Sequence, residues 1–206
     1  MSLRTLLAAF TVASLSAIAT AGDFRITSED SSSVSVHYTG VVESRDVWQW
    51  HAVSATAGDR VIILTIDSGG GSAYGGLDLY WALEAHPRLV TRAGSITGAW
   101  SAAAIMWLAG DHRLLAPNSG VWFHAAYCSW DPNPMPSIGC DTSDFQRELI
   151  PVLTNAGFHG PTFNLILNHL QMRFGTDGWV GVSEDGWAVR DTTDWTFEPF
   201  NPELLQ

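Results

Sequence analysis

The sequence predicts an α/β domain built on a mostly parallel sheet, and three observations carry that expectation. Val61-Ile-Ile-Leu-Thr-Ile66 is a continuous run rich in β-branched residues, as in a strand buried on both faces of a parallel sheet. The cluster Gly69-Gly70-Gly71 follows at once and leads into a helical stretch from Ala73 to Ala85, stopped by Pro87. The order then recurs: Arg88 to Ile96 reads as a strand, and Gly98 to Leu108, apolar all round, as a helix sunk in the core.

The remaining elements follow from local pattern. Residues 26–33 are polar and read as a short lead-in, and Val34 to Thr39 alternates as a strand ended by Gly40. Ser44 can cap a helix running to about Ala55, with Val47, Trp48, His51 and Ala52 on one stripe. His112 to Ala116 and Val121 to His124 are two short strands, and Asp144 to Ala156 and Pro161 to Phe174 read as helices. The aromatic, acidic tail after them carries no clear periodicity.

Composition narrows the chemistry. The 206 residues are 46% hydrophobic and only 15% charged, the balance of a chain that packs a core. Asp plus Glu outnumber Lys plus Arg by 21 to 10, a net charge of −11, so a polyanion is repelled and nucleic-acid binding is not expected. All ten cationic residues are Arg. A chain without lysine has no Schiff-base chemistry, no P-loop phosphate lysine and no Ser–Lys dyad.

The N-terminus reads as an export signal. Arg4 precedes an apolar stretch from Leu6 to Ile18, closed by Ala19-Thr20-Ala21. Cleavage after Ala21 leaves residues 22–206 as a single domain in the periplasm or outside the cell, with no membrane contact. Loss of Arg4 takes the net charge from −11 to −12. In that oxidising setting the two cysteines, Cys128 and Cys140, flank a proline-rich loop and are expected to form a disulfide.

Ligands of a parallel sheet bind at its strand-to-helix turns. Two such turns are Asp67-Ser68-Gly69-Gly70-Gly71-Ser72 and Gly98-Ala99-Trp100-Ser101-Ala102. A third segment, Ala116-Pro117-Asn118-Ser119-Gly120-Val121-Trp122-Phe123-His124, brings a histidine to a strand end 23 residues after Ser101. Alone, the glycines read as a tight turn and Ser101 as a helix cap. His37, His51, His86, His112, His159 and His169 show no metal-ligand spacing and read as structural or exposed.

Together these segments resemble the proteolytic subunit of the Clp protease, within the ClpP/crotonase superfamily. The resemblance spans roughly residues 34–191 and is sharp between Ile62 and His124. It implies repeated β-β-α units, a mostly parallel sheet and a helical handle, with Ser101, His124 and an aspartate as a catalytic triad. Asp177 matches the family's aspartate and Asp191 is its rival. It further implies backbone N–H groups of Gly70 and Ala102 as an oxyanion hole, no metal or other cofactor, and a homo-oligomer assembled through the 144–174 helices.

The roles make chemical sense. A serine hydroxyl needs an imidazole to remove its proton, and a carboxylate fixes the imidazole tautomer. Helix-start N–H groups stabilise a developing oxyanion. Trp100, beside the serine, either shapes the substrate pocket or plugs it. The expected function is an exported, ATP-independent serine peptidase acting on peptides or unfolded chains. Two alternatives are a non-catalytic binding or assembly protein on the same fold, and a crotonase-like acyl-CoA enzyme, which export disfavours.

Overall fold

The computed structural model describes residues 21–124, 126, 143–158, 179–183, 186–191 and 194–198, the last three stretches as backbone only. Cys128, Cys140, Asp177, the leader 1–20 and the 161–174 segment lie outside the described residues.

Fourteen elements are described. The first half runs β1 (Asp23–Glu29), β2 (Ser33–Thr39), α1 (Asp46–Ala57), β3 (Val61–Asp67), α2 (Ala73–Glu84) and β4 (Leu89–Ala93). The second runs β5 (Ala99–Trp100), α3 (Ala102–Trp107), β6 (His112–Leu115), β7 (Gly120–His124), α4 (Ser143–Asn155), β8 (Trp179–Ser183), β9 (Gly186–Asp191) and β10 (Asp194–Glu198). They form two five-stranded sheets, ordered β1-β2-β3-β4-β6 and β10-β9-β8-β7-β5. In the first, β2, β3, β4 and β6 are parallel and β1 is an antiparallel edge.

The mixed α/β class with a mostly parallel sheet is the one the sequence predicts. The second sheet adds what the sequence left unassigned: β5 and β7 are parallel, and the tail folds back as antiparallel β8, β9 and β10.

Four local expectations are corrected. Residues 26–33 are no mere lead-in, because β1 occupies the first half of them, pairing with β2 through an irregularity between Ile26 and Ser28. An exposed edge strand needs no apolar alternation, and only Phe24 of this one is buried. Ser44 does not cap α1; the N-cap is Arg45 without a side-chain bond, and the Asp46 carboxylate instead accepts from Glu43 N–H. The buried stripe of α1 is Asp46, Trp50, Val53 and Ala57, whereas Trp48 is 78% exposed. The helix expected over Gly98–Leu108 begins only after Ser101, since Ala99 and Trp100 pair with Val121 and Trp122.

The core lies between the first sheet and its helices. Ile62, Leu64 and Ile66 of β3 point into it with Val34 and Val36 of β2 and Leu77, Leu79 and Leu83 of α2. Trp50 is fully buried and its Nε1–H donates to the Ala82 carbonyl at 2.8 Å, tying α1 to α2. Trp50→Phe should orphan that carbonyl and cost about 1–3 kcal/mol, and Trp50→Ala should cost about 3–5 kcal/mol by opening a cavity. Urea unfolding of the two variants checks both the order and the size.

Candidate active site

The C-terminal end of β3 sets the site. Asp67 ends this strand as a nearly buried carboxylate. Its Oδ1 accepts from the N–H groups of Ile96, Thr97 and Gly98 at 2.9, 2.8 and 3.3 Å, and its Oδ2 bonds His37 Nε2 at 2.9 Å. Burial works to raise the Asp67 pKa, but the bonds from Thr97, His37, Gly98 and Ile96 outweigh it and hold it below the ordinary carboxylate value. The strand β4 therefore stops at Ala93, short of Ile96, because the next segment is gathered onto Asp67.

Ser68 completes the junction. Its N–H donates to the Gly98 carbonyl at 2.9 Å and its carbonyl accepts from Trp100 N–H at 3.0 Å. Its hydroxyl donates to the Gly40 carbonyl at 2.6 Å and accepts from Gly70 N–H at 3.1 Å. The approach to Ser101 is thus fastened to β3 by backbone and side chain alike.

Ser101 follows β5 and precedes α3 with φ 57° and ψ −123°. An L-residue there stores about 1–3 kcal/mol of strain and persists only where its surroundings impose it. Two contacts do so here. Ser101 N–H donates to the Trp122 carbonyl at 2.7 Å, and Gly70, at φ 97°, packs directly on the turn. A Cβ on Gly70 would stand 2.5 Å from Ser101 Cβ and 2.7 Å from the Trp100 carbonyl.

Ser101 is the N-cap of α3 by position, but its side chain makes no capping bond. Instead Ser101 Oγ lies 2.7 Å from His124 Nε2. Parallel pairing of β5 with β7 brings them together, because the register Trp100↔Trp122 sets both strand ends at one place. The structure therefore joins Ser101, His124, Gly70 and Ala102. A Cβ on Gly70 would lie 3.1 Å from Ala102 N, so the two expected oxyanion donors belong to adjoining backbone segments. The Ala102 N–H, first in its helix, has no carbonyl of the preceding turn to bond, while the Gly70 N–H points to Ser68 Oγ.

A small cleft opens on this pair. Its walls are apolar: Ala73 from α2, Ile105 from α3, Phe123 from β7, and Phe145 and Leu149 from α4. Trp100 does not line it. The Trp100 indole N–H donates to the Thr97 carbonyl at 2.6 Å, and its ring lies 5.9 Å from that of Trp122.

Of the other histidines, His37 bonds Asp67, and His86 is buried between Ser54 Oγ and the Arg60 carbonyl. His51 and His112 are exposed, and His159 and His169 lie outside the described residues. Sequence reasoning gave no role to Asp67 or Ser68. A legible signal existed: an acid ending a largely apolar strand must find buried donors.

No family model matches the chain, and no curated protein matches it by sequence. Solved structures do. A serine-to-alanine mutant of the 1510-N membrane-bound stomatin-specific protease superposes with TM-score 0.56 at 14% identity, over 70% of this chain and 71% of that one. A lysine-to-alanine mutant of the same protease, in complex with a substrate peptide, gives 0.51 at 15% identity. There the match covers 66% of this chain and 64% of that one, short of two thirds of its length. A mutant of ClpP1 from Listeria monocytogenes gives 0.47 at 18% identity, over 70% and 81% of the two chains. At such identities the likeness is one of fold, and the fold is ClpP-like.

Removing the Asp67 carboxylate should release the 96–98 segment. Asp67→Ala leaves up to three N–H groups without their acceptor and should cost about 3 kcal/mol. Because the folded-state pKa of Asp67 is depressed, its ionic contribution is present above the unfolded value of about 3.9 and is lost as pH falls through the folded one. The gap in Tm between wild type and Asp67→Asn should shrink below about pH 4. A gap constant between pH 3 and 7 contradicts this.

Proposed function

We propose that this chain is an exported, ATP-independent serine peptidase that cleaves peptides or unfolded chains. The observation that carries the reading is the 2.7 Å contact between Ser101 Oγ and His124 Nε2, made from a strained backbone and not spent on capping the helix. Strain of this kind concentrates where a side chain must be presented for chemistry.

His124 Nε2 takes the hydroxyl proton as Ser101 Oγ attacks the substrate carbonyl carbon. The carbonyl oxygen becomes an oxyanion, met by the Ala102 N–H and by the Gly70 N–H as it turns from Ser68 Oγ. The imidazolium then gives its proton to the leaving amine, and a water, deprotonated by His124, frees the acid and restores Ser101. With no lysine in the chain, His124 is the base that this site offers.

The third member is assigned to Asp177. Trp179 is the register partner of His124, and Asp177 stands two residues before it in sequence. Asp191 belongs to β9, and β8 runs between that strand and β7. Strands are spaced about 4.8 Å, which sets the Asp191 backbone about 10 Å from β7. The apolar cleft suits an uncharged, apolar side chain beside the scissile bond. Assembly through α4 and the segment after it belongs to the same reading. The non-catalytic alternative leaned on Trp100 filling the site, whereas its indole N–H bonds the Thr97 carbonyl and the cleft's described lining residues do not include it.

Labelling with a fluorophosphonate probe is the direct test: wild type should label and Ser101→Ala should not. His124→Ala should lower kcat by several orders of magnitude, and the double variant hardly further, because the two groups act as one unit. In wild type kcat/KM should rise with pH to a plateau through a single deprotonation. Asp177→Asn should cost far more than Asp191→Asn. A well-folded wild type that neither labels nor hydrolyses any peptide or ester returns the chain to the binding-protein reading.

A further inference from the structure

The start of the described chain meets an unpaired buried carboxylate. Asp46 is fully buried at the first turn of α1. Its Oδ2 accepts from Tyr38 Oη–H at 2.8 Å and from Glu43 N–H at 3.0 Å, while Oδ1 has no partner. Among the described residues no Arg or His forms an ion pair with it. A buried carboxylate without a cation is among the costlier features a fold can carry.

Gly22 lies directly against this carboxylate. A Cβ built on Gly22 would overlap both Asp46 Oδ2 and Tyr38 Oη, so glycine alone fits. Its α-nitrogen is one bond of about 1.46 Å from that same Cα, and as an amide it gives Asp46 no hydrogen bond. The segment is also clamped: Gln49 Nε2–H donates to the Gly22 carbonyl at 3.0 Å, and Gln49 Oε1 accepts from Phe24 N–H at 3.2 Å. Gly22 is buried, whereas Ala21 before it is exposed. Tyr38 responds to the same carboxylate: its phenol is pushed well above its ordinary value, first by burial and then by the bond to Asp46.

The geometry points to Gly22 as the first residue of the working protein, with its α-ammonium as the buried counter-ion of Asp46. The leader motif Ala19-Thr20-Ala21 ends one residue earlier, so the inference rests on the export reading and deepens it. A leader peptidase adds one water across the Ala21–Gly22 amide, leaving a carboxylate on Ala21 and an ammonium on Gly22. The cut precedes folding, because the bond is inaccessible once Gly22 is buried. Removing Ala21 gives up its bridge to Val41 and gains a charge where Asp46 lacks one. Processing and folding are thereby coupled: the uncut chain buries a neutral amide against a carboxylate that has no cation.

The absence of lysine supplies the assay, since the α-amine is then the chain's lone primary amine. Two preparations are compared: protein exported from the full precursor, and protein released from a cleavable fusion with Gly22 first, which needs no export. Each is acetylated with acetic anhydride at neutral pH, native and in urea, and followed by mass. The native Gly22 amine should react at least ~10-fold slower than in urea, as an ion-paired, buried amine does. Asp46→Asn should bring the two rates within a few-fold. Should that variant not fold, protein beginning at Ala21 serves instead, and its amine should react nearly as fast folded as unfolded. Native Gly22 protein that labels at the urea rate overturns the pair. An exported chain beginning at another residue overturns the cut. A precursor left whole on export-competent cells overturns the export reading, while the fusion-released protein still decides the pair.

Discussion

Two adjacent residues at the end of β3 hold the site together. Asp67 gathers the 96–98 backbone through three N–H groups, and Ser68 bonds Gly40, Gly70, Gly98 and Trp100. Four chain segments meet there: the end of β2, the glycine turn, the loop after β4 and the strand β5. None could be held by apolar packing, since turns expose backbone groups that must be bonded or solvated. A carboxylate suits this task because it accepts several N–H bonds at once, each stronger for its charge. The apolar residues before it, Ile62, Leu64 and Ile66, anchor β3 in the core, so this polar junction rests on a rigid strand.

That rigidity explains how Ser101 keeps a backbone it would not choose. A strain of about 1–3 kcal/mol is a large share of a domain's net stability of about 5–15 kcal/mol. It persists because relaxing Ser101 would break the Trp122 carbonyl bond and drive the turn into Gly70. The result is a hydroxyl aimed at an imidazole instead of at its own helix. Local preference and tertiary structure disagree at this residue, and such disagreement is expected where function, not folding, has chosen the conformation.

How much was legible depended on whether the deciding force was local. The β3 run, the helix after the glycine cluster and the strand ending at His124 follow from local sequence, and the structure has all three. Ser101 was readable as a helix start but not as a positive-φ turn, because pairing of Ala99 and Trp100 with β7 decides that, and it joins residues more than twenty apart. The α1 stripe differs from the expected Val47, Trp48, His51 and Ala52, because Asp46 lies on the buried side, where Tyr38 and the Glu43 N–H bond it. The edge strand β1 and the antiparallel strands of the tail were hidden for a related reason. Their pairing is set by a partner strand, not by their own alternation.

The division of labour in the cleft follows from this architecture. The two polar atoms come from the joint where β5 meets β7, fixed by strand register and by the β3 junction. The apolar walls come mainly from helices α2, α3 and α4, which reach the site as side chains on separate elements. Leu149 of α4 is held in the core with Val152 and Leu153, and Tyr74 of α2 meets Phe145 edge-on at 5.9 Å. A change of wall residue therefore alters what the cleft accepts while leaving the Ser101–His124 register untouched. A change at Asp67, Ser68 or Gly70 does the reverse, since those residues fix where the hydroxyl stands. In the proposed peptidase, recognition and chemistry are thus carried by different layers of one fold, coupled where Ala102 and Ile105 ride on the short helix that follows Ser101.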